Sequence, residues 1–288
     1  MKKLSIITIN YNNAAGLKKT LDSVAAQTYT DFEHIIVDGA STDGSVDEII
    51  VYSQSPMTNR HKITWISEPD TGIYNAMNKG VRLARGEYTL MLNSGDFLVD
   101  EYVIEKVIPL LDGTDIIQGN TIEEAGEKQN RNRGYGKSDI DFFDVMKGYF
   151  LHQASFCRRD LFDRYGMFDE SYRIIGDTKF FMNCLGRHNA SFKYIDVDIT
   201  NYDISGISAE TSGKWAELRN VERVRLCNEL YSSRLKTFFE KNDKKIILYD
   251  RLHEHKWIWY LTMVIAHINN FFHPAKQYIK REYIMNKN

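Results

Sequence analysis

The sequence predicts an α/β protein, a largely parallel twisted sheet followed by a helical C-terminal extension. Three observations carry this. Short β-branched runs alternate with helix-period segments through the first 118 residues, polar residues recur directly after those runs, and past about Gly206 helical patterns stand alone.

The elements follow in order. Leu4–Ile9 reads as a first strand, and Leu17, Leu21, Val24 and Ala25 give Ala14–Ala26 the spacing of a helix. Glu33–Asp38 is a second strand, Ser45–Ser53 a helix and Lys62–Ser67 a third strand. Asp70 or Thr71 is placed to cap a helix running to about Ala84, with Gly86 as its stop. Glu87–Leu92 is a fourth strand, Val99–Leu111 a further helix, and Asp115–Gln118 a strand. The polar stretch Gly119–Gly136 reads as a loop or edge hairpin, a candidate flap. An apolar patch at Phe142–Met146, a strand at Ala154–Cys157, a helix at Thr178–Leu185 and a strand at Phe192–Val197 complete the pattern.

Composition narrows the function. A hydrophobic share of 43% with 26% charged residues is ordinary for a soluble domain, and a net charge of −2 gives no pull toward nucleic acid. Cys157, Cys184 and Cys227 lack CxxC spacing and read as reduced thiols of a cytosolic protein. The apolar start, Leu4–Ile9, is broken by Ser5 and Thr8, so a strand fits it better than a signal peptide. No stretch reaches the ~20 apolar residues of a spanning helix.

Ligands of parallel sheets sit outside the carboxyl ends of the strands. Asn10-Tyr11-Asn12, Asp38 and Asn93-Ser94-Gly95-Asp96 all fall there. Aspartates gathered at one crevice need a cation or hydrogen-bond donors, and a hard divalent ion on phosphate oxygens supplies that compensation. Any single Asp reads equally well as a loop residue or a cap.

Three segments make the pattern specific: VDGASTDGS (37–45), SEPDTGIYNAMNKGVRLARGEYTLMLNSGD (67–96) and HQASFCRRDLFDRYGMFDESYRIIGDTKFF (152–181). Together they resemble bacterial family 2 glycosyltransferases, the branch that builds O-antigen, capsule and exopolysaccharide, over roughly residues 1–205. The resemblance implies the GT-A fold, a Rossmann-like mixed sheet flanked by helices. It implies a nucleotide-binding part to about residue 118 and an acceptor part over about 119–205, with 206–288 as the helical extension. It also implies site roles. Asp38 would bond the uracil ring, with Ile9 and Tyr11 closing the nucleoside pocket. Asp70, Asn78, Lys79, Asn93 and Ser94 would lie along the donor. Asp96 would hold magnesium or manganese on the diphosphate, Asp177 would be the catalytic base, and His152 and Gln153 would line the donor-sugar or acceptor side. Departures are visible: only Asp96 is acidic in the DxD-type motif, with Asn93 or Gly95 in the other place. The second strand ends Asp38-Gly39, and the base segment reads Gly176-Asp177. Asp169 and Glu170 are weaker base candidates.

The implied reaction is inverting transfer of a hexose or N-acetylhexosamine from a UDP-sugar to a polyprenyl-diphosphate-linked saccharide or other glycan. From Lys236 onward ten basic residues face five acidic ones, and WIWYLTMVIAHINNFF (257–272) is aromatic and apolar. Residues 250–288 therefore suit a peripheral contact at the cytoplasmic membrane face, and equally a helix packed on the catalytic domain or at a homodimer interface. His253, His255, His267 and His273 read as interfacial or structural. A nucleotidyltransferase lacks support because TINYNNAAGLKK is not Gly-rich. A glycoside hydrolase would need paired carboxylates around the bond. A non-catalytic nucleotide-sugar-binding, membrane-associated protein is the remaining alternative.

Overall fold

Every residue of the first strand, β1 (Leu4–Asn10), is buried, because both its faces are covered by helices. The computed structural model describes residues 3–56, 58, 61–125, 128–202 and 212–230. The chain divides into two units, Met1–Leu226 and Cys227–Asn288. Residues 250–288, the aromatic segment and its histidines lie outside the described residues.

After β1 come α1 (Ala14–Ala25), β2 (Glu33–Asp38), α2 (Ser45–Gln54), β3 (Lys62–Ser67), α3 (Ile73–Leu83) and β4 (Tyr88–Met91). These make the parallel half of the sheet, in the order β3-β2-β1-β4. Alternation sorts the side chains. Ile36 packs with Leu17, Leu21 and Ile49 of α1 and α2. On the other face α3 approaches so closely that a Cβ on Gly80 would lie 2.3 Å from Ile7 Cγ2. Asn13 caps α1, its Oδ1 accepting from the Gly16 amide at 3.1 Å.

The second half is β5 (Phe97–Leu98), α4 (Val103–Val107), β6 (Ile116–Ala125), β7 (Lys128–Asn132), α5 (Phe142–Lys147), β8 (Ser155–Arg158), α6 (Asp160–Tyr165), α7 (Gly176–Met182), β9 (Phe192–Tyr202) and α8 (Lys214–Leu230). Here β8 runs antiparallel between β4 and β6, β9 joins β6 in parallel, and β5 closes antiparallel on β9. The result is a mixed sheet flanked by helices. Among the described residues no helix is long and apolar enough to cross a membrane.

Three elements differ from the sequence pattern, and the polar stretch takes the hairpin form, one of its two expected readings. The helix expected over Val99–Leu111 is shorter, because pairing with β9 continues to Val99, whose amide donates to Ile199 O at 3.1 Å, and past Val107 the chain tightens into a 3-10 turn carrying Pro109. The polar stretch after Gln118 is ordered as the β6–β7 hairpin. Gly72, not Asp70 or Thr71, occupies the cap of α3, and Asp70 Oδ1 instead accepts from the Gly72 amide at 2.9 Å. The helix expected over Thr178–Leu185 begins earlier and ends in a π turn at Asn183–Arg187.

A polar chain crosses the core beside β2. His34 pairs with Thr8 through Nε2 at 2.9 Å and with the Tyr52 hydroxyl through Nδ1 at 2.7 Å, and Tyr52 meets His61 at 3.1 Å. Burial, then the charge of His61, hold the His34 pKa well below the ordinary 6.5. Below about pH 6.5 the unfolded chain takes up a proton that native His34 refuses, so acid removes stability, by up to about 1.4 kcal/mol per pH unit for one proton. Urea midpoints should fall between about pH 7 and about pH 5 in the native sequence and less steeply in His34→Gln. Equal slopes would discount His34 as the source.

Candidate active site

The parallel register sets Asn10 beside Asp38 and Asp38 beside Ser67, so three strand ends converge on one carboxylate. Asp38 is fully buried. Its Oδ1 accepts from Asn10 Nδ2 at 2.8 Å and Ser41 Oγ at 2.6 Å, and its Oδ2 from the Ser41 amide at 2.9 Å and Ser67 Oγ at 2.7 Å. Burial works to raise its pKa, but the Ser41, Asn10 and Ser67 donors outweigh it and hold the acid below its ordinary range. With four donors in place Asp38 organises the loop, and a base would reach it only by replacing one of them.

Around that hub the two loops are sewn together. Asn12, at φ +48°, accepts from the Thr42 amide through Oδ1 at 2.9 Å, and Asp43 Oδ2 accepts from the Ala14 amide at 2.8 Å. The Tyr11 ring is exposed, while the Ile9 side chain is in the core. A Cβ on Gly39 would sit 2.6 Å from Asp70 Oδ2 and 3.0 Å from Tyr11 Cδ2. Glycine there lets Tyr11 and Asp70 close on one spot at the mouth of the crevice.

The loop after β4 is anchored from below. The Ser94 amide donates to Ile9 O at 3.0 Å, and the Ser94 carbonyl accepts from Asn13 Nδ2 at 3.3 Å. Thr20, buried on α1, donates through Oγ1 to Asp96 O at 2.7 Å and accepts there from the Gly95 amide at 3.0 Å. Gly95, at φ +106°, makes the turn that a side chain would strain. Asp96 is buried. Asn93 Oδ1 and Asn10 Oδ1 are buried too, and no protein group donates to either. Such acceptors suit a ligand's donors or a hard cation. Among the described residues no three acidic, His or Cys side chains gather as a metal cage.

The antiparallel half brings a second pair to this loop. A 3-10 turn at His152–Ala154 precedes β8, with Gln153 buried in it. His152 Nε2 meets Asn93 Nδ2 at 3.2 Å, and its Nδ1 meets Asp177 Oδ2, in the first turn of α7, at 2.9 Å. Asp177 Oδ1 accepts from the Tyr74 hydroxyl of α3 at 3.1 Å. For His152 burial alone would depress the pKa, but the bond and charge of Asp177, with the charge of Asp96 behind, raise it. For Asp177 burial acts upward, and His152, the Thr178 amide and Tyr74 outweigh it and lower the pKa. Asp177 thus draws the pair toward imidazolium and carboxylate, whereas the Asn93 Nδ2 contact at Nε2 is satisfied by the neutral ring, because an imidazolium would set two donors against each other. Burial, then the Asp177 charge, push the Tyr74 phenol well up, so it stays a donor.

Two expected donor residues face elsewhere. Asn78 is buried, donating through Nδ2 to Phe168 O and Glu170 Oε1, each at 2.9 Å, and accepting from the Phe168 amide at 3.0 Å. Lys79 Nζ donates to Pro69 O at 2.7 Å and pairs with Glu68 at 2.9 Å. Asn78 thus fastens α3 to the 168–170 segment, whereas Lys79 fastens the helix to residues 68 and 69 of the loop before it. Asp169 and Glu170 are likewise engaged. Burial acts upward on Asp169, yet Lys179 and Ser171 pull it down to about 2, and Glu170 Oε2 accepts from Asn75 at 2.8 Å. Thr20 and Tyr74 escaped the sequence reading. Tyr74 shares a helical face with Met77, Asn78 and Val81, and its place inside the matched segment 67–96 was the available signal.

Comparison with known proteins gives the family and the fold. The family model described as Glycosyl transferase family 2 matches residues 5–168. A PGL/p-HBAD biosynthesis glycosyltransferase of Mycobacterium bovis is 33% identical over 205 residues, 70% of this chain and 77% of its own. An uncharacterised glycosyltransferase of Mycobacterium tuberculosis is 33% identical over 186 residues, 62% of this chain and 67% of its own. Among solved structures, Staphylococcus aureus TarS 1–349 in complex with UDP-GlcNAc superposes with a TM-score of 0.62 at 20% identity, covering 78% of this chain and 67% of that one. In TarS 1–349 without that ligand the match spans 60% of the TarS chain. A mannosyltransferase of Pyrobaculum calidifontis with GDP-Man and Mn2+ gives 0.53 at 19% identity, over 68% of this chain and 56% of that one. At such identities the structures establish the fold, which is GT-A.

The His152–Asp177 pair predicts a titration. Histidine side-chain NMR should place the His152 pKa above the ordinary 6.5, and Asp177→Asn should drop it, since burial then acts against the charge of Asp96 alone. An unchanged pKa in the variant would mean that Asp177 does not govern the imidazole.

Proposed function

The chain belongs to glycosyl transferase family 2 and is a glycosyltransferase, and we propose that it inverts the anomeric centre while moving a hexose or N-acetylhexosamine from a UDP-sugar to a glycan or lipid-linked saccharide in cell-surface polysaccharide assembly. The observation that carries this reading is the double contact of the Asn93–Asp96 loop. On one side it is tied to the end of β1, and on the other Asn93 reaches His152, which holds Asp177. In this reading the part to about residue 118 binds the nucleotide and the part to about 205 meets the acceptor. TarS complexes with UDP and UDP-GlcNAc favour a uridine donor, and the mannosyltransferase with GDP-Man keeps guanosine donors in the comparison.

Tyr11, Gly39 and Asp70 form the nucleoside edge. Asp96 and the unpartnered Asn93 Oδ1 fit a hard cation, whose remaining ligands would be diphosphate and water oxygens. Bound magnesium or manganese would stabilise the charge that develops on the departing diphosphate. Asp177 takes the acceptor proton as the hydroxyl attacks from the face opposite the leaving group, which inverts the centre. His152 keeps Asp177 ionised and oriented, and Tyr74 fixes its second oxygen. A second reading has a specific basis: both Asp177 oxygens already accept hydrogen bonds, so His152 Nε2 would take the proton with Asp177 behind it. The pH profile separates them. With Asp177 as base and His152 charged, activity falls as pH rises through the raised His152 pKa; with neutral His152 as base, activity rises there.

A thermal-shift screen with manganese across UDP-, GDP- and dTDP-sugars tests the donor class, because a bound donor raises the melting temperature by mass action. UDP-sugars should give the largest shift, and Asp177→Asn should keep that shift while losing roughly 100-fold or more in transfer. Near-normal turnover by Asp177→Asn would remove it from catalysis, and no shift with any UDP compound would overturn the donor assignment.

The same reading sets the enzyme peripherally on the inner face of the cytoplasmic membrane through the basic, aromatic residues 250–288, where lipid-linked acceptors lie. The full chain should float with anionic liposomes and a chain lacking 250–288 should not. Equal flotation counts against the anchor.

A further inference from the structure

We propose that Glu222, on α8, is a positioning residue for Asp177, fixing the turn that aims the carboxylate at His152 and, through Arg173, tying that turn to the donor-side loop at Thr71. The inference rests on the proposed function for its catalytic meaning and on geometry for the rest.

All but two residues of α8 are at least partly exposed; the buried two are Leu226 and, against expectation for an acid, Glu222. A carboxylate withdrawn from water requires donors, and Glu222 finds three in succession. Oε1 accepts from the Arg173 amide at 2.5 Å, and Oε2 from the amides of Ile174 and Ile175 at 3.0 and 3.1 Å. These N–H groups immediately precede α7, whose second residue is Asp177. Backbone amides directed at one ionised carboxylate are charge-assisted bonds, among the stronger ones a protein makes. An apolar side chain could fill the space but would leave three amides unsatisfied.

The turn is gripped from the other side as well. A Cβ on Gly176 would lie 2.7 Å from Tyr74 Cε2, so the Tyr74 ring lies against the backbone whose next residue its hydroxyl bonds. One helical step along α8, Arg225 donates to Ser171 Oγ at 2.8 Å and lies 4.3 Å over the Tyr172 ring. Arg173, held at its amide by Glu222, donates through Nη1 to Thr71 O at 2.6 Å, next to Asp70 and Gly72. Glu222 thus stands behind both the proton acceptor and one wall of the donor site without touching either.

The test compares the native chain with Glu222→Gln, Glu222→Ala and Asp177→Asn in transfer from a UDP-sugar, with His152 titrated by NMR in each. Glu222→Ala should lower kcat about 10- to 100-fold, the scale of a small misplacement of reacting groups, with donor KM changed less than about threefold. Its acid limb should move to higher pH as Asp177 loses His152. Glu222→Gln keeps one acceptor oxygen and should fall between. Retained kcat, or a loss of activity matching the loss of folded protein with the pH profile and His152 pKa unmoved, overturns the proposal. If the native chain transfers no sugar, the functional reading fails, yet the positioning claim is still read. The His152 pKa drops in folded Glu222→Gln if Glu222 holds Asp177 in place, and its constancy there rejects the claim.

Discussion

A carboxylate enclosed by protein keeps its charge only where donors surround it, and much of the second half of this chain is arranged around that requirement at Asp177. His152 meets one oxygen, Tyr74 the other, and the Thr178 amide adds to them. Each donor comes from a different element: the turn before β8, α3, and α7 itself. Removing any one leaves a buried charge short of a partner rather than merely deleting a contact. The same logic, repeated at smaller scale, explains Asp38 with its four donors and Glu222 with its three.

The two halves of the sheet divide the labour. The parallel strands end together, so Asn10, Asp38 and Ser67 converge without long side chains. An all-parallel sheet would send each further strand end to the same crevice, one loop at a time. By running β8 antiparallel to β4, the fold brings a turn, His152–Ala154, directly against the loop that follows β4. Asn93 is the junction, since its amide meets His152 while its backbone belongs to the donor side. Under the proposed function, donor binding and proton transfer would rest on separate groups that share one loop.

How much of this was legible depends on where each interaction is encoded. Runs such as SIITIN and HIIVD announce buried strands, and polar residues at their ends announce the crevice. Asp38, Asp96, His152 and Asp177 were picked out before any geometry, and the last two do meet. What stayed hidden is chemistry that looks like packing. Tyr74 and Thr20 sit on amphipathic helices among apolar neighbours, where a hydroxyl reads as incidental. Asn78 shows the converse, for its motif suggests a ligand contact while its amide is spent on the backbone of Phe168. The short strand Phe97–Leu98 was assigned to no element because its partner lies about 100 residues later, beyond any local pattern. Glu222 was invisible for a related reason. An acid on a charged helix looks like a solvated face until the turn it caps is seen.

The pairing of β5 and β6 with β9 also has a kinetic side. The four parallel strands are assembled from consecutive units between Leu4 and Met91, whereas β4 must wait for Arg158 and Phe97 for Asn201. Loop closure over such separations is slow compared with local pairing. On a ribosome the parallel half can therefore condense while the remainder is still being made, and the junction of Asn93 with His152 closes only after β8 has emerged. Under the proposed function, a nascent chain would hold its nucleotide site before its proton acceptor, Asp177, which follows β8 in the chain.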